Sequence, residues 1–470
     1  MHYYIYPKNW DGEDVVLNLS KIEKEATFSF IDDSEPALSL DKVANKIKND
    51  KEGLVLIVSK YRYFDLEEKL INYGINNYAD GLVFCADKID KYYKKYFLTN
   101  GNNCSVGLLV TQLPHSEHVR GIAIELENRS IPIVFFVTDI ANYHEYQNKY
   151  RNSYVIIARC DLLEYIKCVS IMHVTSHYAK VHSSVISILN PQGLLDPVQN
   201  YFYFTKEGAD SLIGSRVNFD YIFCHTKEMQ KFYQSFLGSL AHPSKFVFVG
   251  YPSLDSYLQE IGDMDVNKSD KKTVIVAFTI SKLREDGSDM SGINQENITQ
   301  IITRLLQERY KVIFRPHPES CKAIFMQNII KAFKGNEGFV YDDAPRLSRQ
   351  IMQEALTIIG NGSSVMQTFP LATKKPAVMF MPEIDFLSDN KSLKSLIVNP
   401  KLHLMAHSVD EIIKCLEKLQ NGNEKYQDEI LQYYKNNIDC NNGRGGGQII
   451  VDFFEKLLHR IQKLNDRLNN

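Results

Sequence analysis

Short, uninterrupted apolar runs recur along the chain, separated by stretches of mixed character. "GLVLIVS" at 53–59, "VGLLVTQ" at 106–112, "IPIVFFVTD" at 131–139 and "SYVIIAR" at 153–159 each have the length of one strand. Continuous rather than alternating hydrophobicity suits strands buried on both faces, as in a parallel sheet. Between these runs the apolar positions recur at three- and four-residue steps. "FDLEEKLINYGI" puts Leu66, Leu70 and Ile71 on one face, with Gly74 at the expected C-cap. "PHSEHVRGIAIELENRS" predicts a helix opened by Pro114 and Ser116. "GLVFCA" at 81–86 reads as a further strand, and 88–103 as a linker ending in Asn and Gly. "FDYIFCHT" at 219–226 and "KFVFVG" at 245–250 continue the series.

The polar stretch "IGDMDVNKSDK" (261–271) interrupts the pattern and reads as a connection. A fresh alternation follows: "KTVIVAFTI", a helix around 294–308, "YKVIFRPHP", a helix around 320–333, "GFVYDD", a helix around 345–355, "ALTIIGNGSS" and "KPAVMFM". The chain closes on an amphipathic helix marked by Ile450, Phe454, Leu457, Ile461, Leu464 and Leu468. Strands alternating with helices predict an α/β protein with parallel sheets covered on both faces. The expected organisation is a small N-terminal α/β unit (1–100) and two doubly wound Rossmann-like domains facing a cleft (101–260 and 261–435). A C-terminal helix (436–470) packs back on them.

At 470 residues the chain is long enough for two or three domains. The formal net charge of -3 offers no basic field and argues against a nucleic-acid partner. No apolar run approaches the roughly 18–20 residues that span a bilayer. The opening "MHYYIYPKNWDGED" lacks the regions of a signal peptide. The eight cysteines show no CxxC spacing, so reduced thiols in a cytoplasmic protein are expected.

Ligands in doubly wound sheets sit at the carboxyl ends of strands, which directs attention to residues just after the apolar runs. Arg315-Pro316-His317-Pro318 ends "KVIF". Arg supplies a permanent forked donor for phosphate, and His a donor or proton carrier near neutral pH. Pro318 restrains His317 to extended backbone; the competing reading is a turn whose His caps the next helix. "IIGNGSSVMQTF" runs a strand into Gly360-Asn361-Gly362-Ser363-Ser364 and then a helix, a cradle whose backbone N–H groups and hydroxyls suit an anion. Ordinary serine N-capping is the plainer alternative. "VAFTISKLRED" adds Thr279, Ser281, Lys282 and Arg284, with a solvated loop equally compatible. In the first half, "VSIMHVTSHYAKVHSS" contains His173, His177 and His182. The four-residue step from His173 to His177 invites zinc, but the HExxH glutamate and a clear third ligand are missing, so no metal is expected. A general base at His173 is the functional reading, and a core histidine the other.

The ordered set "MHVTSH", "FDYIFCHTKEMQKFY", "VFVGYPSLD", "TVIVAFTI", "FRPHPE", "GNGSSVMQTFPLATKKPAVMF" and "NNGRGGGQIIVDFF" resembles the CDP-glycerol glycerophosphotransferase family of teichoic-acid and capsule synthesis. The resemblance covers roughly 165–455, is strongest at 311–380, and leaves 1–100 outside. It implies GT-B architecture and transfer of a glycerol or ribitol phosphate from a CDP-activated donor to an acceptor hydroxyl, without a metal. It implies catalytic roles for His173 and His317. Arg315, Asn361, Gly362, Ser363, Ser364 and Thr279 would bind the donor phosphates. The implied partners are the nucleotide-linked donor and a saccharide or lipid-linked saccharide acceptor. Peripheral attachment at the inner face of the cell membrane, through "KYYKKYF" (91–97) or the last helix, is a further expectation. The chain departs from the family pattern at Val174, at Asn361-Gly362 and at Ala277-Phe278-Thr279. A GT-B glycosyltransferase or epimerase acting on a nucleotide sugar, and a non-catalytic module of a polysaccharide assembly complex, are the alternative readings.

Overall fold

Every strand pairing among the described residues is parallel, as the unbroken apolar runs require. The computed structural model describes residues 1–99, 105–111, 116–147, 149–150, 153–191, 193–194, 201, 206–261, 270–278, 293–317, 320–344, 346–382, 396–422, 424–440 and 443–468. The chain divides into two compact units. The first comprises Met1–Asn190, Phe219–Tyr221 and Ile450–Asn470; the second comprises Pro191–Asn218 and Ile222–Ile449.

The first unit opens with a small sheet of β1 (His2–Tyr6), β2 (Thr27–Phe30), β3 (Gly53–Ile57) and β4 (Tyr78–Asp80), ordered β2-β1-β3-β4. It continues with β5 (Val106–Val110), β6 (Ile133–Val137), β7 (Ser153–Ile157), β8 (Ile171–Val174) and β9 (Ile186–Leu189), which form the stretch β9-β8-β5-β6-β7 of a second sheet. The helix Trp10–Ile22 covers the exposed edge at β7. Asn18 Nδ2 donates to Ile157 O at 2.6 Å, Ile157 N donates to Asn18 Oδ1 at 3.3 Å, and Lys21 Nζ donates to Val155 O at 3.1 Å. These bonds satisfy backbone groups that an open edge would present to another chain. The first hundred residues thus share a compact unit with the second sheet.

Two local expectations fail between 81 and 99, and 100–103 of the expected linker fall outside the described residues. "GLVFCA" is not a strand, and 88–99 is not a linker: Gly81–Thr99 is one helix. Asp80 Oδ1 accepts the N–H groups of Leu82 and Val83, both at 3.0 Å, which starts the helix at Gly81. The buried positions Leu82, Cys85, Ala86, Ile89 and Tyr93 have helical spacing. Tyr93, inside the run expected to touch a membrane, lies in the core and reaches Val155 O at 3.4 Å.

In the second unit Ile222–Cys224 of β10 (Tyr221–Cys224) pair with β11 (Phe246–Phe248). A six-stranded sheet follows, built from β12 (Thr273–Ala277), β13 (Lys311–Phe314), β14 (Phe339–Tyr341), β15 (Thr357–Gly360), β16 (Ala377–Phe380) and β17 (His403–Ala406). Its order is β14-β13-β12-β15-β16-β17. Val274, Val276, Val312, Phe314, Ile359 and Val378 bury one face against Ile301, Leu305 and Leu416. Lys375, fully buried, donates from Nζ to the carbonyls of Met352, Gln353 and Ala355 at 3.2, 2.7 and 2.7 Å. It thereby closes the C-terminal end of the helix Arg349–Glu354.

The last helix is Gly446–Leu468, so it starts ten residues later than 436; Glu424–Asn437 is a separate helix before it. The motifs "GYPSLD" and "GRGGG" meet at this start. Asp255 Oδ2 accepts the N–H of Gly447 at 3.1 Å, and burial pushes its carboxyl up to about 6. A Cβ on Gly445 would stand 2.8 Å from that same oxygen, so the glycine run is the room the cap needs. Further along, Ile450, Val451, Phe454 and Leu457 are buried. Arg129 Nη1 donates to Asp452 and Glu455 at 2.8 and 2.7 Å, which holds the helix within the first unit. No helix of the described residues is long and apolar enough to cross a membrane.

Candidate functional site

In the six-stranded sheet the chain crosses from one side to the other between β12 and β15, the switch point where doubly wound sheets take ligands. The register aligns three strand ends: Val276 pairs with Phe314, and Ala277 with Gly360. Arg315 and the Gly360–Ser364 turn therefore leave the sheet at the same end. They are not on neighbouring strands, since β12 lies between them. Arg315 N donates to Val276 O at 2.8 Å, which extends β13 by one bond. Thr279, Ser281, Lys282 and Arg284, expected after β12, fall outside the described residues, as does Pro318.

Arg315 is not an uncommitted phosphate donor. Its Nη1 donates to Asp342 Oδ2 at 2.7 Å, with both side chains largely buried. Asp342 is itself fixed by its N–H on Phe314 O at 3.0 Å. The pair orients the guanidinium and cancels much of its charge, leaving its other N–H groups available for recognition. Sequence reasoning missed Asp342. The signal was the Asp pair ending "GFVYDD", one strand over from Arg315. His317 is partly buried, and Ser320 N donates to its carbonyl at 2.8 Å. Burial, reinforced by the Arg315 charge, holds its ring well below the ordinary 6.5, at about 4. The ring is therefore neutral at pH 7 and can offer one N–H but no positive charge.

The turn after β15 is tight. Ser363 N donates to Asn361 O at 2.8 Å; Asn361 and Gly362 are buried, and Ser363 and Ser364 are half-buried. The helix Val365–Thr373 follows directly, and its opening N–H groups point back toward the turn. A polar set holds this helix from below. His403 Nδ1 accepts the N–H of Asn399 at 3.0 Å, so Nε2 carries the proton and donates to Met366 O at 3.1 Å. Gln367 Nε2 donates to Ile397 O at 3.1 Å, and Thr368 Oγ1 to Ser364 O at 3.1 Å. Tyr251 is buried just before the helix Pro252–Ile261. Its ring lies 4.9 Å from that of buried His225, whose two nitrogens face the carbonyls of Gly250 and Pro191 at 2.8 and 2.7 Å.

His403 makes a pH prediction. Burial lowers its ring from 6.5 to about 4 in the folded state, only partly offset by the Met366 carbonyl. Between those values the unfolded chain binds the proton and the folded chain does not. The stability from this neutral ring is therefore complete above about pH 6.5 and is lost as pH falls toward 4, a swing on the order of 3 kcal/mol. Urea titrations of wild type and His403→Gln between pH 7 and 4.5 should show a shallower acid decline in the variant. An unchanged decline would remove His403 from this role.

In the first unit the corresponding crossing lies between β5 and β8. His173 is the third residue of β8, in register with Leu108 and Ile188. It does not end the strand. It is fully buried, with its ring edge-on to Phe454 at 6.1 Å. The loop that follows carries Thr175, Ser176 and half-buried His177, whose ring lies 4.0 Å from Tyr178. Among the described residues, no group of three or more His, Cys, Asp or Glu is arranged to hold a metal ion.

The model of the family CDP-Glycerol:Poly(glycerophosphate) glycerophosphotransferase matches residues 197–454, more than half of the 470-residue chain. No curated protein matches the sequence. Among solved structures, the wall teichoic acid polymerase TagF is similar with a TM-score of 0.55 at 15% identity, covering 87% of this chain and 98% of that one. A histidine-to-asparagine variant of TagF gives 0.55 at 14% identity, covering 88% and 100%. The same variant soaked with CDPG for 15 minutes gives 0.54 at 14%, covering 86% and 100%. At such identity the likeness is one of fold, the GT-B type with parallel α/β sheets. By the match over its second half, this chain belongs to the CDP-glycerol:poly(glycerophosphate) glycerophosphotransferase family of transferases.

Proposed function

We propose that the chain transfers glycerol phosphate or ribitol phosphate from a CDP-linked donor to a hydroxyl of a saccharide or lipid-linked saccharide acceptor, in the synthesis of a teichoic-acid-like or capsular polymer. The observation that carries this is the buried turn Gly360–Ser364, which opens a firmly held helix at the switch point of the six-stranded sheet and aligns with the strand end bearing Arg315 and His317. Such a turn offers backbone N–H groups and two hydroxyls to a diphosphate. Thr279 belongs to the same proposal.

In the reaction, the acceptor oxygen attacks the phosphorus that carries the polyol. The bond from that phosphorus to the bridging oxygen breaks, and CMP leaves with the bridging oxygen and its electron pair. The neutral His317 ring donates its N–H to the diphosphate as charge moves onto the leaving phosphate, and the tethered Arg315 fork and the helix start share that load. The acceptor proton goes to an imidazole of β8 or of the loop that follows it. His173, inside β8, is the proposed base on the family pattern, and His177 in the following loop is the second imidazole. The reaction needs no cofactor in this reading. The protein is proposed to work in the cytoplasm, with peripheral attachment to the inner face of the membrane where its acceptor is lipid-linked.

A thermal-shift screen against CMP, CDP, CTP, UDP and GDP tests the donor assignment, because a ligand bound only by the folded state raises the unfolding midpoint. Cytidine nucleotides should give the largest shift. A larger shift with UDP or GDP would favour a nucleotide-sugar donor.

A further inference from the structure

The last helix, Gly446–Leu468, leaves the core in its second half. Its apolar positions Ile450, Phe454, Leu457, Ile461 and Leu464 form one row, at steps of four, three, four and three residues. Burial falls away along that row. Ile450 and Phe454 are wholly enclosed and Leu457 is 7% exposed, whereas Ile461 is half-buried and Leu464 is 50% exposed. The row therefore carries apolar surface out of the unit that anchors it.

The charges on the same turns are sorted. Lys456, Arg460, Lys463 and Arg467 recur at steps of four, three and four residues, so they share one face beside the apolar row. All four are exposed. Asp452, Glu455 and Asp466 fall on the side away from that row. Asp452 and Glu455 are taken up by Arg129, at 2.8 and 2.7 Å. The four cations have no carboxylate partner among the described residues. A helix face that meets only solvent gains from opposite signs three or four residues apart and loses from like signs. Here three successive neighbours along the face are like-charged, in a chain whose formal net charge is -3. An external anionic surface turns that repulsion into attraction.

Two chemistries could meet the cations: a phosphodiester polymer or anionic lipid headgroups. The apolar row decides between them. A polymer of phosphates and hydroxyls would leave Ile461 and Leu464 in water. A bilayer takes apolar side chains into the acyl boundary and holds flanking Lys and Arg at the headgroups. No helix of the described residues is long and apolar enough to cross a membrane, so this one would lie on the surface. We propose that the second half of the last helix, from Lys456 to Arg467, docks on an anionic lipid bilayer. Ile461 and Leu464 enter the interface, and Lys456, Arg460, Lys463 and Arg467 meet the lipid phosphates. This deepens the peripheral attachment proposed above by naming the element, and rests on that reading only for which membrane is met.

Vesicle co-sedimentation of the full chain tests this, with phosphatidylcholine alone and with phosphatidylcholine mixed with phosphatidylglycerol. The chain should pellet with the mixed vesicles, stay in solution with phosphatidylcholine alone, and be released by salt. Lys456→Gln, Arg460→Gln, Lys463→Gln and Arg467→Gln should each weaken partitioning about fivefold at low salt. Leu464→Gln should weaken it with the salt dependence unchanged. These side chains are exposed, so unfolding midpoints should not fall. No pelleting with mixed vesicles, equal pelleting with phosphatidylcholine alone, or partitioning untouched by the substitutions overturns the proposal. So does binding of poly(glycerol phosphate) without vesicle binding, or self-association through Leu464 without vesicle binding. The assay contains neither donor nor acceptor. Its failure leaves CMP release onto a soluble acceptor untouched, and absence of that release leaves the vesicle result standing.

Discussion

His317→Ala should lower turnover of a CDP-linked polyol by about 10²–10³-fold while the protein stays folded. The ring sits just past β13, at the carboxyl end of the sheet, and burial keeps it neutral at pH 7, so it would act through an N–H and not through a positive charge. Removing it deletes a donor that matters most when charge builds on the departing phosphate, so kcat should fall more than donor affinity. The structure distinguishes this from a charge effect. Because the ring titrates near 4, activity should not fall through pH 6–7 on account of His317, as it would if the imidazolium were required. Far-UV circular dichroism and the unfolding midpoint check that the variant is folded. A rate within a few-fold of wild type would remove His317 from the reaction.

Gly360→Ala should be the most damaging single methyl in the second unit. A Cβ at that position would stand 2.1 Å from the carbonyl oxygen of Ala277 and 2.8 Å from Met366 Sδ. The first contact is with backbone of the adjacent strand, which cannot rotate away. β12 and β15 would have to part at the very end where the turn begins. A loss of more than about 4 kcal/mol is expected, in the range that signals a broken structural constraint. Cytidine nucleotides should then give no thermal shift, since the Asn361–Ser364 turn moves with the strand. Chemical denaturation checks the first effect. A variant of near wild-type stability would mean that the strand ends are not as close as the register requires.

These expectations rest on features of unequal visibility in the sequence. The parallel sheets were legible because strands buried on both faces are written as unbroken apolar runs. The Gly360–Ser364 turn and the Arg315–His317 strand end were legible because glycine frees the backbone and proline restricts it locally. What joins them was not. β12 lies between their strands, and strand order is set by long-range packing that no local pattern records. Asp342 was invisible for the same reason, since its partner Arg315 is 27 residues away. "GLVFCA" misled because an apolar run of six fits either a strand or the buried side of a helix. The deciding residue, Asp80, is a helix cap that lies just before the run. His173 follows an apolar run, but its burial was not legible there, because β8 runs one residue further and encloses it. His403, which holds the helix Val365–Thr373 through Met366 O, belongs to no motif and acts through contacts distant in sequence.

The measurement that bears most directly on the central claim is nucleotide release by the full chain. It should be supplied in turn with CDP-glycerol, CDP-ribitol, UDP-N-acetylglucosamine and GDP-mannose, together with a hydroxyl-bearing oligosaccharide acceptor. The account predicts CMP from a CDP-polyol, formed in step with phosphodiester on the acceptor and lost in His317→Ala. UDP or GDP released from a sugar nucleotide, with no CMP from either CDP-polyol, would contradict it.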